Sequence, residues 1–342
     1  MTRARVLLTH GPTARAAYYG ERALAALRAL ADVQVHDSDA PWTTDALAAA
    51  ARDCDIIVSD RRTEGGVDLL QRLPRLVAFV RCAVDIRNID VGAAGALGIL
   101  VTQASAGFVA AVSEWVLGAM IDLSRGISAS AWQYRAGTVP AATMGRELRG
   151  ATLGVIGFGR IGRRVAALGQ ALEMRVLVCD RQAVAGAAGA LQVDQPRLLA
   201  ESDYVVCLAT ATPETENLMN AEAFAAMKPS AYFINASRGN LVDEEALRAA
   251  LDAGRIAGCA LDVGRAADQM PTPSLAAHPR VIATPHIGGL TPAAIEHQAI
   301  ETVQQVSDIV AGRMPVGAVN GEQAHRLRAR FAERVAALIQ SP

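Results

Sequence analysis

The segment from Thr152 to Gly162 constrains the fold more than any other. It reads Thr-Leu-Gly-Val-Ile-Gly157-Phe-Gly159-Arg160-Ile161-Gly162, an apolar β-type run that ends in a glycine turn and opens a helical stretch over 160–172. Strand, G-x-G-x-x-G turn and helix in this register form the phosphate cradle of dinucleotide-binding α/β sheets. Gly157 allows the tight turn, Gly159 lets backbone approach a pyrophosphate, and Gly162 lets helix and strand pack closely. Arg160 and Ile161 open the helix, whose unpaired N–H groups suit phosphates. The next strand-like run ends at Asp180, eighteen residues after Gly162. An acid there accepts hydrogen bonds from the ribose hydroxyls of NAD and repels the 2′-phosphate of NADP. Arg181 follows and can pair with that phosphate, but the acid favours NAD.

The same alternation runs along the whole chain. Short apolar runs at 5–9, 33–36, 56–59, 76–81 and 99–102 are separated by helical stretches, among them 14–30 and 44–52. A long apolar helix over 109–123 and a more polar stretch over 126–148 follow. A second series then places strands at 152–156, 176–179, 204–208, 232–235, 257–261 and 281–283, with helices at 244–253 and 291–311. Strand–helix–strand repetition predicts parallel, doubly wound sheets of the α/β class. A chain of 342 residues holds two such lobes.

Composition removes whole classes of function. The hydrophobic fraction of 51% excludes a mainly disordered chain. Lys+Arg number 33 against 34 Asp+Glu, so no basic excess exists to hold nucleic acid or a membrane surface. Aromatics at 4% argue against base-stacking platforms. No apolar stretch reaches about 18 residues, and the start has no signal-peptide core, so a cytoplasmic protein without a transmembrane span is expected. Cys54, Cys82, Cys179, Cys207 and Cys259 are odd in number, widely spaced and without a C-x-x-C pair. Reduced buried thiols are expected, with no disulfide and no metal site. After Gly321, Leu327, Phe331, Val335 and Leu338 share one helical face, flanked by Arg326, Arg328, Arg330 and Arg334. That pattern suits a C-terminal helix docked on its own protein or on a twin subunit.

Two further segments follow strand-like runs, at the end where a parallel sheet presents ligand sites. One is Phe233-Ile-Asn-Ala-Ser-Arg238-Gly-Asn-Leu-Val-Asp-Glu-Glu-Ala-Leu; the other is Thr284-Pro285-His286-Ile-Gly288-Gly. Beside a dinucleotide fingerprint, they suggest an anion clamp and a proton-transfer group. With Ala260-Leu-Asp262-Val between them, they make the chain resemble the D-isomer-specific 2-hydroxyacid dehydrogenase family over about residues 4–320.

The resemblance implies two Rossmann-like lobes with the active site in the cleft. The substrate-binding lobe would comprise residues 1–103 and 291–342, and the NAD-binding lobe 104–290. It implies an NAD-dependent dehydrogenase of D-2-hydroxy acids, or 2-ketoacid reductase, working as a homodimer through the helix 109–123. Arg238 would bind the substrate carboxylate and His286 would be the general acid/base. Asp262, Thr212, Pro213, Gly288 and His286 would lie along the cofactor. The same fold also supports phosphite- or formate-type oxidation, and NAD-sensing interaction proteins of the corepressor type.

The chain departs from the family pattern at three places. The Glu that normally pairs with the His is replaced by Ala267, and Asp268 is the one nearby acid that can stand in; whether it reaches His286 is open. The substrate loop reads Arg81-Cys-Ala83-Val84-Asp85-Ile-Arg87, with Ala83 and Asp85 at the usual glycine positions. An Asp beside a carboxylate site calls for an offsetting cation, and Arg87, Arg61 and Arg62 are candidates. Either Asp85 turns toward such an Arg, or it meets a substrate bearing a positive or hydrogen-bond-donating group; the sequence leaves both open. Leu208-Ala-Thr210 replaces the usual H-x-P, a change expected to affect cofactor packing.

Overall fold

The computed structural model describes residues 3–184 and 189–330. The chain divides into two compact units, Met1–Gly107 with Pro292–Pro342, and Phe108–Thr291. The first unit holds strands β1 (Arg5–Leu8), β2 (Asp32–Val35), β3 (Ile56–Ser59), β4 (Ala78–Arg81) and β5 (Leu100–Gln103). They pair in parallel in the order β2-β1-β3-β4-β5. The second unit holds β6 (Thr152–Ile156), β7 (Arg175–Cys179), β8 (Ala190–Gln192), β9 (Tyr204–Cys207), β10 (Tyr232–Asn235), β11 (Gly258–Leu261) and β12 (Val281–Ala283). Their order is β12-β11-β10-β9-β6-β7-β8, again all parallel. The fold is therefore α/β with two parallel sheets.

Continuous apolar runs form the central strands because both faces are covered. Every residue of β3, β4, β6, β9 and β11 is buried. The helices are amphipathic at the matching period. Arg160–Ala171 buries Gly162, Val165, Ala166 and Gly169 along one stripe. Val109–Arg125 buries Ala111, Val112, Val116, Ala119 and Met120, and ends at Gly126 in the left-handed region. Pro292–Val310 starts on its proline and packs Ala299, Val303, Val306 and Ile309 into the core beside Leu24 and Leu27.

The helix read over 14–30 is two helices, Pro12–Tyr18 and Glu21–Leu30. Gly20 separates them at φ 82, a conformation that no helix continues through. The five cysteines are free thiols; four are buried and Cys179 is half-buried. Among the described residues no helix is long and apolar enough to cross a membrane. Residues 322–330 pack within the first unit. Leu327 is buried there, and the Arg326 guanidinium donates to the carbonyls of Leu73 and Leu76. Arg330 meets the buried Asp55 carboxylate. Phe331, Arg334, Val335 and Leu338 lie outside the described residues.

Candidate active site

The glycine turn sits between β6 and the helix Arg160–Ala171. Gly157 adopts φ 93 and donates its N–H to the Cys179 carbonyl at 2.9 Å. A Cβ on Gly162 would fall 2.2 Å from the Gly157 carbonyl oxygen, so helix and turn touch here only because no side chain intervenes. A Cβ on Gly159, the residue capping the helix, would meet nothing within 4 Å. Open space thus lies in front of a helix N-terminus, which fits a pyrophosphate. Arg160 and Ile161 form the first turn of that helix.

Asp180 follows β7. Its carboxylate accepts from the Gln182 N–H at 3.0 Å and the Phe158 N–H at 2.7 Å. These two main-chain donors hold its pKa below the ordinary carboxylate value. The acid that faces the ribose in the sequence reading is therefore tied to the glycine turn itself. Thr212 and Pro213 lie after β9, in a short turn closed by a hydrogen bond from Thr212 N–H to Thr215 Oγ1 at 2.8 Å.

Arg238 follows β10 in a loop organised by Asn235. The Asn235 amide donates to the Arg238 carbonyl at 3.0 Å, and its oxygen accepts from Ser237 N–H at 3.1 Å. The half-buried Arg238 guanidinium donates to the Ser237 carbonyl at 2.7 Å.

Asp262 follows β11 and is 3% exposed. One of its oxygens accepts from Thr284 Oγ1 at 2.7 Å and Ile287 N–H at 2.8 Å; the other accepts from Gly288 N–H at 2.7 Å. The sequence reading places Asp262 and Gly288 along the cofactor. In the structure the Asp262 carboxylate is bonded by donors of the turn that carries His286. His286 itself sits at φ 55, with its N–H directed to the carbonyls of Asp262 and Thr284, both at 2.9 Å. Its ring Nδ1 lies 2.9 Å from the main-chain carbonyl of Asp268.

In the other unit, Arg81 ends β4 and is fully buried. Its guanidinium donates to the carbonyls of Asp60 and Thr63 and to Asn88 Oδ1. Burial lowers its pKa to about 10. The loop that follows keeps Ala83 buried and exposes Val84. Asp85 is held by Arg87, whose Nε lies 3.0 Å from one carboxylate oxygen and whose terminal nitrogen lies 2.7 Å from the other. Arg61 presents its carbonyl to Asn88 at 3.1 Å. Arg62 is exposed, with Nε 4.0 Å from Asp60.

A family model described as "D-isomer specific 2-hydroxyacid dehydrogenase, NAD binding domain" matches residues 117–288. The chain belongs to this family. It is 35% identical to D-3-phosphoglycerate dehydrogenase of Synechocystis over 276 residues, covering 78% of this chain and 49% of that one. It is 32% identical to glyoxylate reductase of Aeropyrum pernix over 302 residues, 85% of this chain and 90% of that one. The structure of D-lactate dehydrogenase from Aquifex aeolicus, complexed with NAD and lactic acid, superposes with TM-score 0.74 at 28% identity, covering 93% of this chain and 97% of that one. The chain spans about half the length of the first of these relatives.

As a member of the dehydrogenase family, the chain carries an NAD(P)-binding domain on its seven-stranded sheet. The loops after β6, β7, β9, β10, β11 and β12 bring the predicted cofactor and catalytic residues to the carboxyl edge of that one sheet. The predicted substrate residues Ala83, Val84, Asp85, Arg61 and Arg62 lie at the carboxyl edge of the five-stranded sheet. Sequence reasoning missed Arg81, Asp60, His10 and Glu244. The first three are polar residues at strand ends, His10 and Arg81 buried and Asp60 half-buried, whose placement no local pattern reveals. Glu244 stands inside the quoted Val-Asp-Glu-Glu-Ala-Leu motif, and its partners come from residues 265 and 272.

Proposed function

We propose that the chain is an NAD-dependent dehydrogenase of D-2-hydroxy acids, reducing 2-keto acids in the reverse direction. The observation that carries this reading is His286, held by Asp262 and the Asp268 carbonyl at the same sheet edge as Arg238 and the glycine turn. When bound, the nicotinamide exchanges a hydride with the substrate carbon. Arg238 supplies a permanent cation for the substrate carboxylate and draws charge toward the carbonyl oxygen. His286 moves the proton at that oxygen. A carbonyl only accepts, so Nδ1 keeps its hydrogen and Nε2 is the atom that gives or takes the proton.

The Asp180 carboxylate supports NAD over NADP, because it is ionised where a 2′-phosphate would add like charge. We assign the five-stranded unit to substrate binding through Ala83, Val84, Asp85, Arg61 and Arg62, and the seven-stranded unit to the cofactor. Exposed Ile121, Ile127, Trp132 and Tyr134 on the helices Val109–Arg125 and Ile127–Arg135 support a homodimer.

The test is NADH oxidation at 340 nm with glyoxylate, pyruvate, hydroxypyruvate and longer 2-keto acids, with NADPH in parallel. Turnover with NADH that falls by about 100-fold or more in His286→Ala is expected. Full activity in that variant would remove the mechanism. NADH binding without turnover across the panel would point to a cofactor-sensing protein instead.

A further inference from the structure

We infer that Asp268 orients His286 through its main-chain carbonyl, and that Glu244 is the positioning residue that holds this carbonyl in place. The inference rests on reading His286 as the proton-transfer group. It explains how the chain works with Ala267 where a Glu is usual.

Three observations carry it. First, the acceptor 2.9 Å from Nδ1 is a peptide oxygen, which fixes the ring's tautomer as a side-chain acceptor would. Second, the carbonyl reaches the ring through an unusual backbone. Asp268 adopts φ 55, ψ 23 and Gln269 adopts φ 60, two successive left-handed residues without glycine. Such residues cost roughly 1 kcal/mol or more each and persist where the surroundings over-determine them.

Third, those surroundings converge on Glu244, the first residue of the helix Glu244–Asp252. One Glu244 oxygen accepts from Arg265 N–H at 2.9 Å, and the other from Thr272 Oγ1 at 2.7 Å. The two ends of the 265–272 loop are thus tied to one carboxylate. Gly264 N–H, just before the loop, donates to the Gln269 carbonyl at 2.8 Å, and Ala266 N–H to the Met270 carbonyl at 3.0 Å, closing the loop on itself. The Arg265 side chain adds bonds to the Val242 carbonyl at 3.0 Å and to Glu216 at 2.8 Å. Asp268 sits at the tip of this braced loop, with its carbonyl at the ring.

The experiment combines ring 15N chemical shifts with steady-state kinetics on the full chain. The His286 signal is assigned with His286→Asn. In the parent protein the neutral ring is expected in the Nδ1–H form. Asp268→Asn and Asp268→Gly remove the carboxylate, keep the carbonyl and tolerate the left-handed turn. Both are expected to retain the Nδ1–H form and to lose about two- to fivefold in kcat. Glu244→Ala is expected to mix the tautomers and lower kcat by about ten- to a hundredfold, with the Kd for NADH within about twofold. Glu244→Gln keeps one acceptor and is expected to recover part of that loss. A switch to Nε2–H in both Asp268 variants, with kcat down about 100-fold, would overturn the carbonyl assignment. Retention of tautomer and kcat in Glu244→Ala would overturn the brace. Absence of any 2-keto acid turnover by the parent protein would sink the functional reading alone, since the tautomer is measured without substrate.

Discussion

The two parallel sheets share one architecture and differ in how far their carboxyl edges lean on main chain. At the edge of the seven-stranded sheet, charged and titratable side chains are fixed by main chain. Asp180 takes the N–H groups of Phe158 and Gln182, Asp262 takes those of Ile287 and Gly288, and His286 meets a carbonyl. At the edge of the five-stranded sheet, charges also answer one another. Asp85 is paired with Arg87, Arg62 approaches Asp60, and His10 and Arg81 are both buried with that same Asp60 in their field. An edge fixed by main chain tolerates few residues at each position, so it reads as motif. An edge built from mutual pairs can be rewritten two residues at a time, as where Ala83 and Asp85 stand at the usual glycine positions, whereas the seven-stranded edge departs at Ala267 and at Leu208-Ala-Thr210.

The largest expected effect breaks the first edge. In Gly162→Ala the new methyl would stand 2.2 Å from the Gly157 carbonyl oxygen, so the turn or the helix must move. Overpacking of this kind costs about 1–3 kcal/mol, and displacement of the cradle should weaken NADH binding by about 100-fold. Fluorescence titration measures it, with the melting curve as a control for folding. Affinity within about twofold of the parent would mean that this edge is not the dinucleotide cradle.

A second test addresses a buried titratable group of the other edge. His10 is 1% exposed, its ring lies 5.2 Å from that of Tyr19, and its Nδ1 has no hydrogen-bond partner. Burial lowers its pKa from 6.5 to about 4. Below pH 6.5 the unfolded chain takes up a proton that the folded protein refuses. Stability is therefore lost as pH falls from about 6.5 to about 4, and levels off below that, for a total of roughly 3 kcal/mol. His10→Leu removes this titration, so its urea midpoint should move less between pH 7 and pH 4.5 than the parent's. Parallel losses in the two proteins would show that His10 carries no such weight.

The contrast also accounts for what the sequence could reveal. The α/β class was legible because parallel strands covered on both faces are written as unbroken apolar runs, as in Ile56–Ser59 and Thr152–Ile156. Strand Ala190–Gln192 was not, because it lies half-buried to exposed at the sheet edge. Arg238 and His286 stood out because each closes a strand within a recognisable motif. The partners of Asp262 and Glu244 did not, because they are main-chain donors and two threonine hydroxyls 21 to 28 residues downstream. Main chain has no residue identity, so no sequence pattern announces that a peptide oxygen faces an imidazole.

The smallest effect is the most informative about substrate. The Asp85–Arg87 pair lies in the loop after β4, the loop we assign to substrate binding, with the Asp85 side chain 24% exposed and that of Arg87 71% exposed. A pair that open contributes about 0–1 kcal/mol to stability, so Asp85→Gly should leave the melting curve nearly unchanged. Its influence should appear in binding. If Asp85 serves only to offset the loop's arginines, its removal leaves net positive charge beside the substrate carboxylate. KM for simple 2-keto acids should then fall about two- to fivefold at low salt with kcat unchanged, since the interaction is equal in ground and transition states. The gain should shrink as salt is raised, because exposed charges are screened within about 10 Å at 0.1 M. If Asp85 instead receives a cationic or donor group of the substrate, KM for that substrate rises and the change persists in salt, because bound substrate excludes water from the contact. The sign of the KM change, read against ionic strength, separates a charge kept for balance from a charge kept for recognition.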